Sequence, residues 1–217
     1  MLSSLISYLK YIRLARRFPN SLFYSNVQVD HSSSVGYKSV LFSNSTLISS
    51  TLGDYTYVQK FSNIYNAEVG KFCSIAPNVN IGLANHPTNF ISTSPIFYDN
   101  SQSLPEFFIQ NNMQEKVLPR TYIGSDVWIG QSVMIKAGLT IGTGSILGAG
   151  AIVTKNVLPY SIVVGVPSKV IKMRFPDDLI VELLASKWWE EDPSLLKTLS
   201  SSFNNPNEFL EKLKCLK

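Results

Sequence analysis

The stretch that decides the fold runs from Ile123 to Leu158 and, cut every six residues, reads IGSDVW, IGQSVM, IKAGLT, IGTGSI, LGAGAI, VTKNVL. The first position of every hexad is aliphatic, and the fifth is small or β-branched in all but one, where it is Leu139. Neither an α-helix nor a flat strand repeats every six residues, whereas a parallel β-helix places one short strand and one turn in each hexad. The pattern therefore predicts an all-β core built as a parallel β-helix, with three hexads to a coil.

The same periodicity predicts how side chains stack inside the coil. A first-position side chain should point into the prism and lie against its equivalent on the next coil, three hexads later. The predicted pairs are Ile123 with Ile141, Ile129 with Leu147, and Ile135 with Val153. Glycine recurs at the second position, where we expect it to let the backbone bend between strands. These glycines are Gly124, Gly130, Gly142 and Gly148. A β-sandwich is a poor alternative, because its turns come at irregular spacing.

The repeat also divides the chain into parts. From Phe23 the hexad phase continues to Ile81, with two five-residue spacings, and is then lost until Ile123. A loop of this length is usually functional or disordered, and its aromatic residues argue against disorder. We interpret it as an arm that leaves the coil and packs on another surface, for example that of a neighbouring subunit. The predicted parts are an N-terminal helix at 1–20, a β-helix at 21–175 with the arm at about 82–122, and a C-terminal helical tail at 176–217.

The first twenty residues carry apolar side chains at helical spacing, followed by basic ones. A basic amphipathic helix can lie on a membrane surface, or it can cap the open end of the coil. The cap is the preferred interpretation, with peripheral membrane contact as the alternative. The apolar positions are Leu2, Leu5, Ile6, Leu9 and Ile12. No apolar run in the sequence reaches the length of a membrane span, and no cleavable signal is expected.

Composition narrows the class of partner and the compartment. Hydrophobic residues make up 45% of the chain and charged residues 16%, and the formal net charge is +4. This mild excess suits an anionic ligand and does not require nucleic acid. The two cysteines, Cys73 and Cys215, form no disulfide framework, so we expect a reducing, cytoplasmic location.

Three segments resemble the hexapeptide-repeat acyltransferases, most closely the xenobiotic acetyltransferase-like subgroup. That subgroup includes chloramphenicol and streptogramin acetyltransferases and O-acetyltransferases of bacterial surface sugars. The segments are Asn85-His86-Pro87 with Ser92-Thr93-Ser94-Pro95, then 123–130, and 148–155 leading to 165–172. The resemblance implies a left-handed coil, a homotrimer with active sites between neighbouring prisms, and acetyl-CoA lying along the coil, with no metal.

The resemblance also implies the site residues. His86 matches the catalytic histidine, and a histidine base suits proton transfer from a hydroxyl near neutral pH. The other histidine, His31, lies in a polar stretch and is expected to be structural. Asn85 and Tyr98 are expected to contact the acceptor, and a backbone N–H near Gly130 or Gln131 to stabilise the oxyanion. Cofactor contacts, including cations for the phosphates, are expected at Trp128, Gly130, Ala149, Thr154, Lys155, Lys169, Lys172 and Arg174.

The leading functional hypothesis is an acetyl-CoA-dependent O-acetyltransferase acting on a sugar or a surface-polysaccharide precursor. Acetylation of a small-molecule drug and N-acetylation of an amino sugar are alternatives within the same chemistry. A γ-carbonic anhydrase would need three histidines around zinc, and the sequence has two. A non-catalytic β-helix binding module is the remaining alternative, although it gives no reason for a His-Pro arm beside a basic end of the coil.

Overall fold

The computed structural model describes residues 2–113 and 119–216 and shows the predicted parallel β-helix. A helix, α1 (Leu2–Arg17), precedes the coil. The strands are β1 (Leu22–Phe23), β2 (Gln28–Val29), β3 (Ser34–Val35), β4 (Val40–Leu41), β5 (Thr46–Ile48), β6 (Thr51–Leu52), β7 (Tyr57–Val58), β8 (Asn63–Tyr65), β9 (Ala67–Val69), β10 (Ser74–Ile75), β11 (Asn80–Leu83), β12 (Thr121–Ile123), β13 (Trp128–Ile129), β14 (Met134–Lys136), β15 (Thr140–Ile141), β16 (Ile146–Leu147), β17 (Ile152–Val153), β18 (Ser161–Val164) and β19 (Lys169–Met173).

Successive strands turn onto three different faces of a prism. The first face has the order β1-β4-β7-β10-β13-β16-β18-β19, the second β2-β5-β8-β11-β14-β17, and the third β3-β6-β9-β12-β15. We name each corner of the prism by the two faces that it joins. In each coil the chain passes the first–second corner, then the second–third corner, and then the third–first corner. All strand pairs within the described residues are parallel except β18 with β19, an antiparallel hairpin that the hexad pattern did not predict.

The interior of the prism is filled as the hexad phase predicts. Ile123 pairs with Ile141, Ile129 with Leu147, and Ile135 with Val153. Of these six side chains only Ile123 retains any exposure, at 3%. At about 0.8 kcal/mol for each buried CH₂ group, this aliphatic stack is the main source of the free energy of folding.

The expected role of the second-position glycines is wrong. None of the four has a positive φ, so none is needed for a bend. A Cβ at Gly124 would instead lie 2.5 Å from the backbone N of Thr143, on the next coil. The bends come two residues later, at fourth-position residues in the left-handed region, such as Asp126 (φ 56°) and Ser132 (φ 60°). The second-position glycines therefore allow adjacent coils to approach each other.

Helix α1 lies against the lower end of the coil. Leu14 belongs to the buried core of the prism, and Phe18 packs against it. Arg17 donates hydrogen bonds to the carbonyls of Asp30 (2.7 Å), His31 (2.9 Å) and Ser33. These contacts favour the cap over the membrane interpretation, although Leu9 is exposed. The side chains of Leu2, Leu5 and Ile6 lie outside the described part. Among the described helices, none has both the length and the apolar character needed to cross a bilayer.

The helical tail covers the third–first corner. It consists of α2 (Asp177–Ser186), α3 (Pro193–Thr198) and α4 (Pro206–Leu216), with short 3-10 helices between them. Trp188 and Phe209 lie in a second apolar core that also contains Tyr160 from the coil. The Trp188 ring lies 5.5 Å from that of Phe72 on the same corner. The tail is therefore joined to the side of the prism.

Candidate active site

The arm leaves the coil at the second–third corner, after β11. Gly82 has a φ of +85°, and a Cβ there would overlap the Tyr65 carbonyl oxygen, so only glycine fits. Asn85 and His86 follow and are both exposed. The chain rejoins the third face at β12. Residues 114–118 of the predicted arm lie outside the described residues.

The imidazole of His86 is oriented from within the arm. Its Nδ1 lies 2.7 Å from the carbonyl oxygen of Thr93 and 3.0 Å from the hydroxyl of Tyr98. A carbonyl oxygen can only accept, so Nδ1 must carry the proton, and the lone pair of a neutral ring is then on Nε2. The ring is exposed. An oriented histidine with an available Nε2 can accept a proton from a bound hydroxyl.

Tyr98 is held by the structure of the arm itself. It follows a 3-10 helix, Pro95–Phe97, and its N–H donates to the Pro95 carbonyl at 2.9 Å. Its carbonyl accepts from the Met113 N–H at 3.0 Å, and its ring contacts Phe90 edge to face. The hydroxyl of Tyr98, a residue predicted to contact the acceptor, therefore lies beside Nδ1 of the His86 ring and not beside Nε2. Sequence reasoning left open which group orients His86, because no motif identifies a backbone carbonyl such as that of Thr93.

Two predicted cofactor residues share the corner that carries His86. Leu83 at the start of the arm is in register with Lys136, and the next coil continues this column with Thr154 and Lys155, both exposed. With coils about 4.8 Å apart, these two residues lie roughly 10 Å along the prism axis from the start of the arm. Lys136 was not predicted from sequence, and only the register places its charge here.

The other predicted cofactor residues are distributed over different parts of the prism. Trp128 is 54% exposed on the first face, and the same row of that face continues through β16 and β18 to Lys172. Ala149 is exposed at the first–second corner, and Lys169 begins β19 beside the top coil. One chain alone therefore does not bring these residues together with His86.

Two predicted ligand contacts are corrected by the structure. Gly130 is buried, its N–H donates to the Leu147 carbonyl at 2.8 Å, and its absent side chain makes room for Ala149. That N–H is thus already used and cannot serve an oxyanion. Arg174 pairs with Asp126 at 3.0 Å and donates to the Gly144 carbonyl at 2.6 Å. A phosphate on Arg174 would have to displace both contacts.

Cys73 and His31 take structural roles, whereas the thiol of Cys215 is exposed in the helical tail. Burial raises the pKa of the Cys73 thiol to about 12, which leaves no thiolate to act as a nucleophile. The Nε2 of His31 accepts a hydrogen bond from Arg13 at 3.0 Å. Within residues 2–113 and 119–216, no three side chains of the metal-binding types come together. These observations leave His86 as the base that the geometry favours.

Comparison with known proteins identifies the family of the chain. The sequence profile of the family described as "Bacterial transferase hexapeptide (six repeats)" matches residues 120–155. A chloramphenicol acetyltransferase of Morganella morganii is 36% identical over 144 residues, which cover 65% of this chain and 67% of that protein. The chain belongs to the hexapeptide-repeat acetyltransferases of the xenobiotic type. A chloramphenicol acetyltransferase of Agrobacterium fabrum is 44% identical over 126 residues, 56% of this chain, and the chain spans 58% of that relative's length.

Solved structures of other hexapeptide-repeat proteins share the fold. A mutant of AntD, an N-acyltransferase of Bacillus cereus in complex with dTDP and coenzyme A, superposes with a TM-score of 0.58 at 20% identity and covers 81% of this chain and 96% of that one. The acetyltransferase domain of PglB from Neisseria gonorrhoeae, in complex with acetyl coenzyme A, gives 0.51 at 18% identity and covers 71% and 58%. At these identities the likeness shows the architecture of the acetyltransferase family, a left-handed parallel β-helix.

Proposed function

We propose that this protein is an acetyl-CoA-dependent O-acetyltransferase in which His86 is the general base. The observation that carries the proposal is the 2.7 Å contact between His86 Nδ1 and the Thr93 carbonyl, which leaves Nε2 to accept a proton. As the acceptor oxygen attacks the thioester carbon, its proton passes to Nε2. The carbon–sulfur bond then breaks, and the proton returns from Nε2 to the departing thiolate. No serine or cysteine nucleophile is required.

The acetyl donor would be held by the exposed residues of the coil. The cations that can meet its phosphates are Lys155, Lys169 and Lys172, since each is exposed. Trp128, Ala149 and Thr154 complete the proposed path of the pantetheine arm. The relatives named as acetyltransferases support acetyl-CoA as the donor.

A homotrimer would complete the site. His86 and Lys155 lie at the second–third corner, whereas Trp128 is on the first face of the same prism. A three-fold axis parallel to the prisms would bring one subunit's second–third corner close to a neighbour's first face. The arm also exposes apolar side chains, including Ile91 and Phe108, which such a neighbour would cover.

The acceptor that we favour is a small hydroxyl-bearing antibiotic. Relatives between 36% and 46% identical are named for chloramphenicol, macrolide or virginiamycin A acetylation. A sugar hydroxyl, the acceptor class expected from the sequence, remains the competing choice, with Asn85 beside the base as a proposed contact. A cytoplasmic location belongs to the same proposal, since acetyl-CoA is available there.

The test is a thiol-release assay on the purified protein with acetyl-CoA. Chloramphenicol, a macrolide, virginiamycin A and a set of free and nucleotide-linked sugars would be offered as acceptors. With the acceptor that turns over, His86→Ala should lower kcat by roughly 10²–10⁴-fold, while the Kd for acetyl-CoA changes little. His31→Ala is the matched control and should retain activity. Loss of activity in the His31 variant alone would refute the assignment, and no thiol release with any acceptor would favour a binding module.

A further inference from the structure

Helix α1 has two apolar sides, and the coil covers one of them. Leu14 lies in the core of the prism and Phe18 packs against that core, so their side of the helix is the capping side. Leu9 precedes Leu14 by five residues, which at about 100° per residue turns it about 140° away. There its side chain is 57% exposed. The cap therefore accounts for one side of α1 and does not account for the other, which we call the outer side.

The outer side is an apolar stripe by its sequence spacing. Around Leu9, the other apolar residues of the first three turns recur at intervals of three and four residues, which places them on the same side of a helix. Ile12, at the border of the stripe, is half-buried. An exposed apolar surface of this kind marks a site of interaction. The members of the stripe are Leu2, Leu5, Ile6, Leu9 and Ile12.

The net charge of the chain is concentrated in and beside this helix. Residues 1–29 contain four basic residues and no acidic one. The rest of the chain contains the other 15 basic residues and all 15 acidic ones, so the whole formal net charge of +4 comes from the first 29 residues. A local excess of positive charge attracts an anionic partner. The four basic residues are Lys10, Arg13, Arg16 and Arg17.

Two of these cations lie on the outer side and are not neutralised by a described carboxylate. Arg13 and Arg16 follow Leu9 by four and seven residues, which returns them to its side of the helix. Both are exposed, and neither forms an ion pair with a described residue. Asp30, the first acidic residue of the chain, accepts its hydrogen bonds from serine residues instead. Apolar side chains flanked by such cations are complementary to a surface of anionic lipids.

We propose that α1 docks the protein on an anionic lipid bilayer. The helix would lie in the plane of the headgroups, with the outer side against the acyl chains and with Arg13 and Arg16 beside the lipid phosphates. The capping side would stay on the coil. In the proposed homotrimer the three prisms run in the same direction, so three copies of α1 would lie at one end and meet one membrane together. This last point rests on the proposed assembly, whereas the docking of a single chain does not.

The experiment is co-sedimentation of the full-length protein with lipid vesicles. Vesicles that mix phosphatidylglycerol with phosphatidylcholine should bind the protein roughly tenfold more strongly than vesicles of phosphatidylcholine alone, and added salt should weaken this binding. His86→Ala should bind the mixed vesicles as the parent does, which separates docking from acetyl transfer. Failure to bind the mixed vesicles, or equal binding to both kinds, would overturn the proposal and leave the stripe to a protein partner.

Two pairs of variants separate the outer side of α1 from general effects of charge and hydrophobicity. Arg16→Glu should weaken binding to the mixed vesicles by about tenfold or more, whereas Lys197→Glu, the same change of charge at an exposed position of the tail, should leave it unaltered. Leu9→Ser should weaken binding by about fivefold, whereas Val181→Ser, at a 64% exposed position of α2, should not.

Equal losses in a variant and in its control would contradict the proposal, because the effect would then not belong to the outer side. Light scattering on the Leu9→Ser protein gives a further test. The oligomeric state of this variant should match that of the parent. A change in oligomeric state would mean that the stripe is an interface between copies of the chain, and would overturn the assignment to lipid.

Discussion

The proton on His86 Nδ1 is held by two groups, and only one of them can be removed by mutation. Tyr98→Phe eliminates the hydroxyl at 3.0 Å but leaves the Thr93 carbonyl at 2.7 Å. We expect kcat to fall about three- to tenfold, with unchanged KM values for acetyl-CoA and the acceptor. Steady-state kinetics on both substrates would measure this. A rise in the acceptor KM with constant kcat would instead support the substrate contact that the sequence predicted for Tyr98.

Asp30 gives a pH-dependent prediction at the same scale. Burial alone would raise its pKa, but hydrogen bonds from the Ser32 and Ser33 hydroxyls and from the Ser49 and Ser33 N–H groups outweigh it and lower the pKa from 3.8 to about 2. Because the pKa is lower in the folded state, the ionised carboxylate stabilises the fold at pH values above the pKa of the unfolded chain. This stabilisation is lost as the pH falls towards the pKa of the folded state. Asp30→Asn should therefore lower the melting temperature at pH 7 by roughly 2–4 °C, or about 1 kcal/mol once solvent screening is allowed for.

Melting curves of parent and variant at pH 7, 4 and 3 would check this. The difference between the two proteins should be constant from pH 7 to about 5 and should narrow below the ordinary pKa of aspartate. A difference that stays the same at pH 3 would mean that the carboxylate charge of Asp30 does not stabilise the first coils.

The sequence can predict a site residue that acts through its side chain, but not one that acts through a backbone group. The motif around Asn85-His86-Pro87 indicated the candidate base, because histidine is recognisable by type. The Thr93 carbonyl is a backbone group that any residue could supply, so the sequence could not reveal it. Arg174 was assigned to phosphate because its partner, Asp126, is 48 residues away and only the coil brings them together.

At the scale of the coil, a second-position glycine, Gly130, can be compared with a fourth-position glycine, Gly150, to separate the need for space from the need for a special backbone conformation. A Cβ at Gly130 would lie 2.6 Å from the backbone N of Ala149, whereas a Cβ at Gly150 would meet nothing within 4 Å, despite a φ of +73°. Gly130→Ala should therefore destabilise the protein by more than about 3 kcal/mol, because coils must separate. Gly150→Ala should cost only about 1–2 kcal/mol of backbone strain.

Chemical denaturation of both variants would measure the two free energies. If the glycines served as bends, as the sequence suggested, the order would be reversed, because only Gly150 has a left-handed backbone. The hexad pattern thus predicted which residues fill the prism, since their positions follow from the period alone. It could not distinguish a glycine needed for close approach of two coils from one needed for a left-handed backbone, because the difference depends on the atoms of the adjacent coil.

At the scale of the whole molecule, the proposed homotrimer predicts complementation between two inactive variants. His86→Ala removes the base, and Trp128→Ala removes a proposed cofactor contact on another face. In trimers assembled from equal amounts of both, about a quarter of the sites should combine an intact His86 from one subunit with an intact Trp128 from the next. If each site lay within one chain, no site would be intact.

Activity of co-refolded variants, compared with that of each variant alone, would decide between the two arrangements. Light scattering on the same samples should give three times the 24.2 kDa of the chain. A monomer at micromolar concentration would contradict the proposed assembly.

The sequence predicted an arm and a tail, but not that the tail would cover the third–first corner. The coil side chains that contact the tail are at the fourth hexad position, where the sequence carries no recognisable pattern.

The antiparallel direction of β19 has a consequence for growth of the structure. A parallel coil is a stack whose last rung resembles its first, so a second molecule could in principle continue it and begin a filament. Strand β19 runs antiparallel to β18. The hydrogen-bonding groups at this edge therefore do not have the evenly spaced, slanted pattern of a parallel pair, which another coil would need. The lysines of β19, Lys169 and Lys172, add charge repulsion at the same edge. Strand β19 therefore prevents another coil from continuing the first face at that edge.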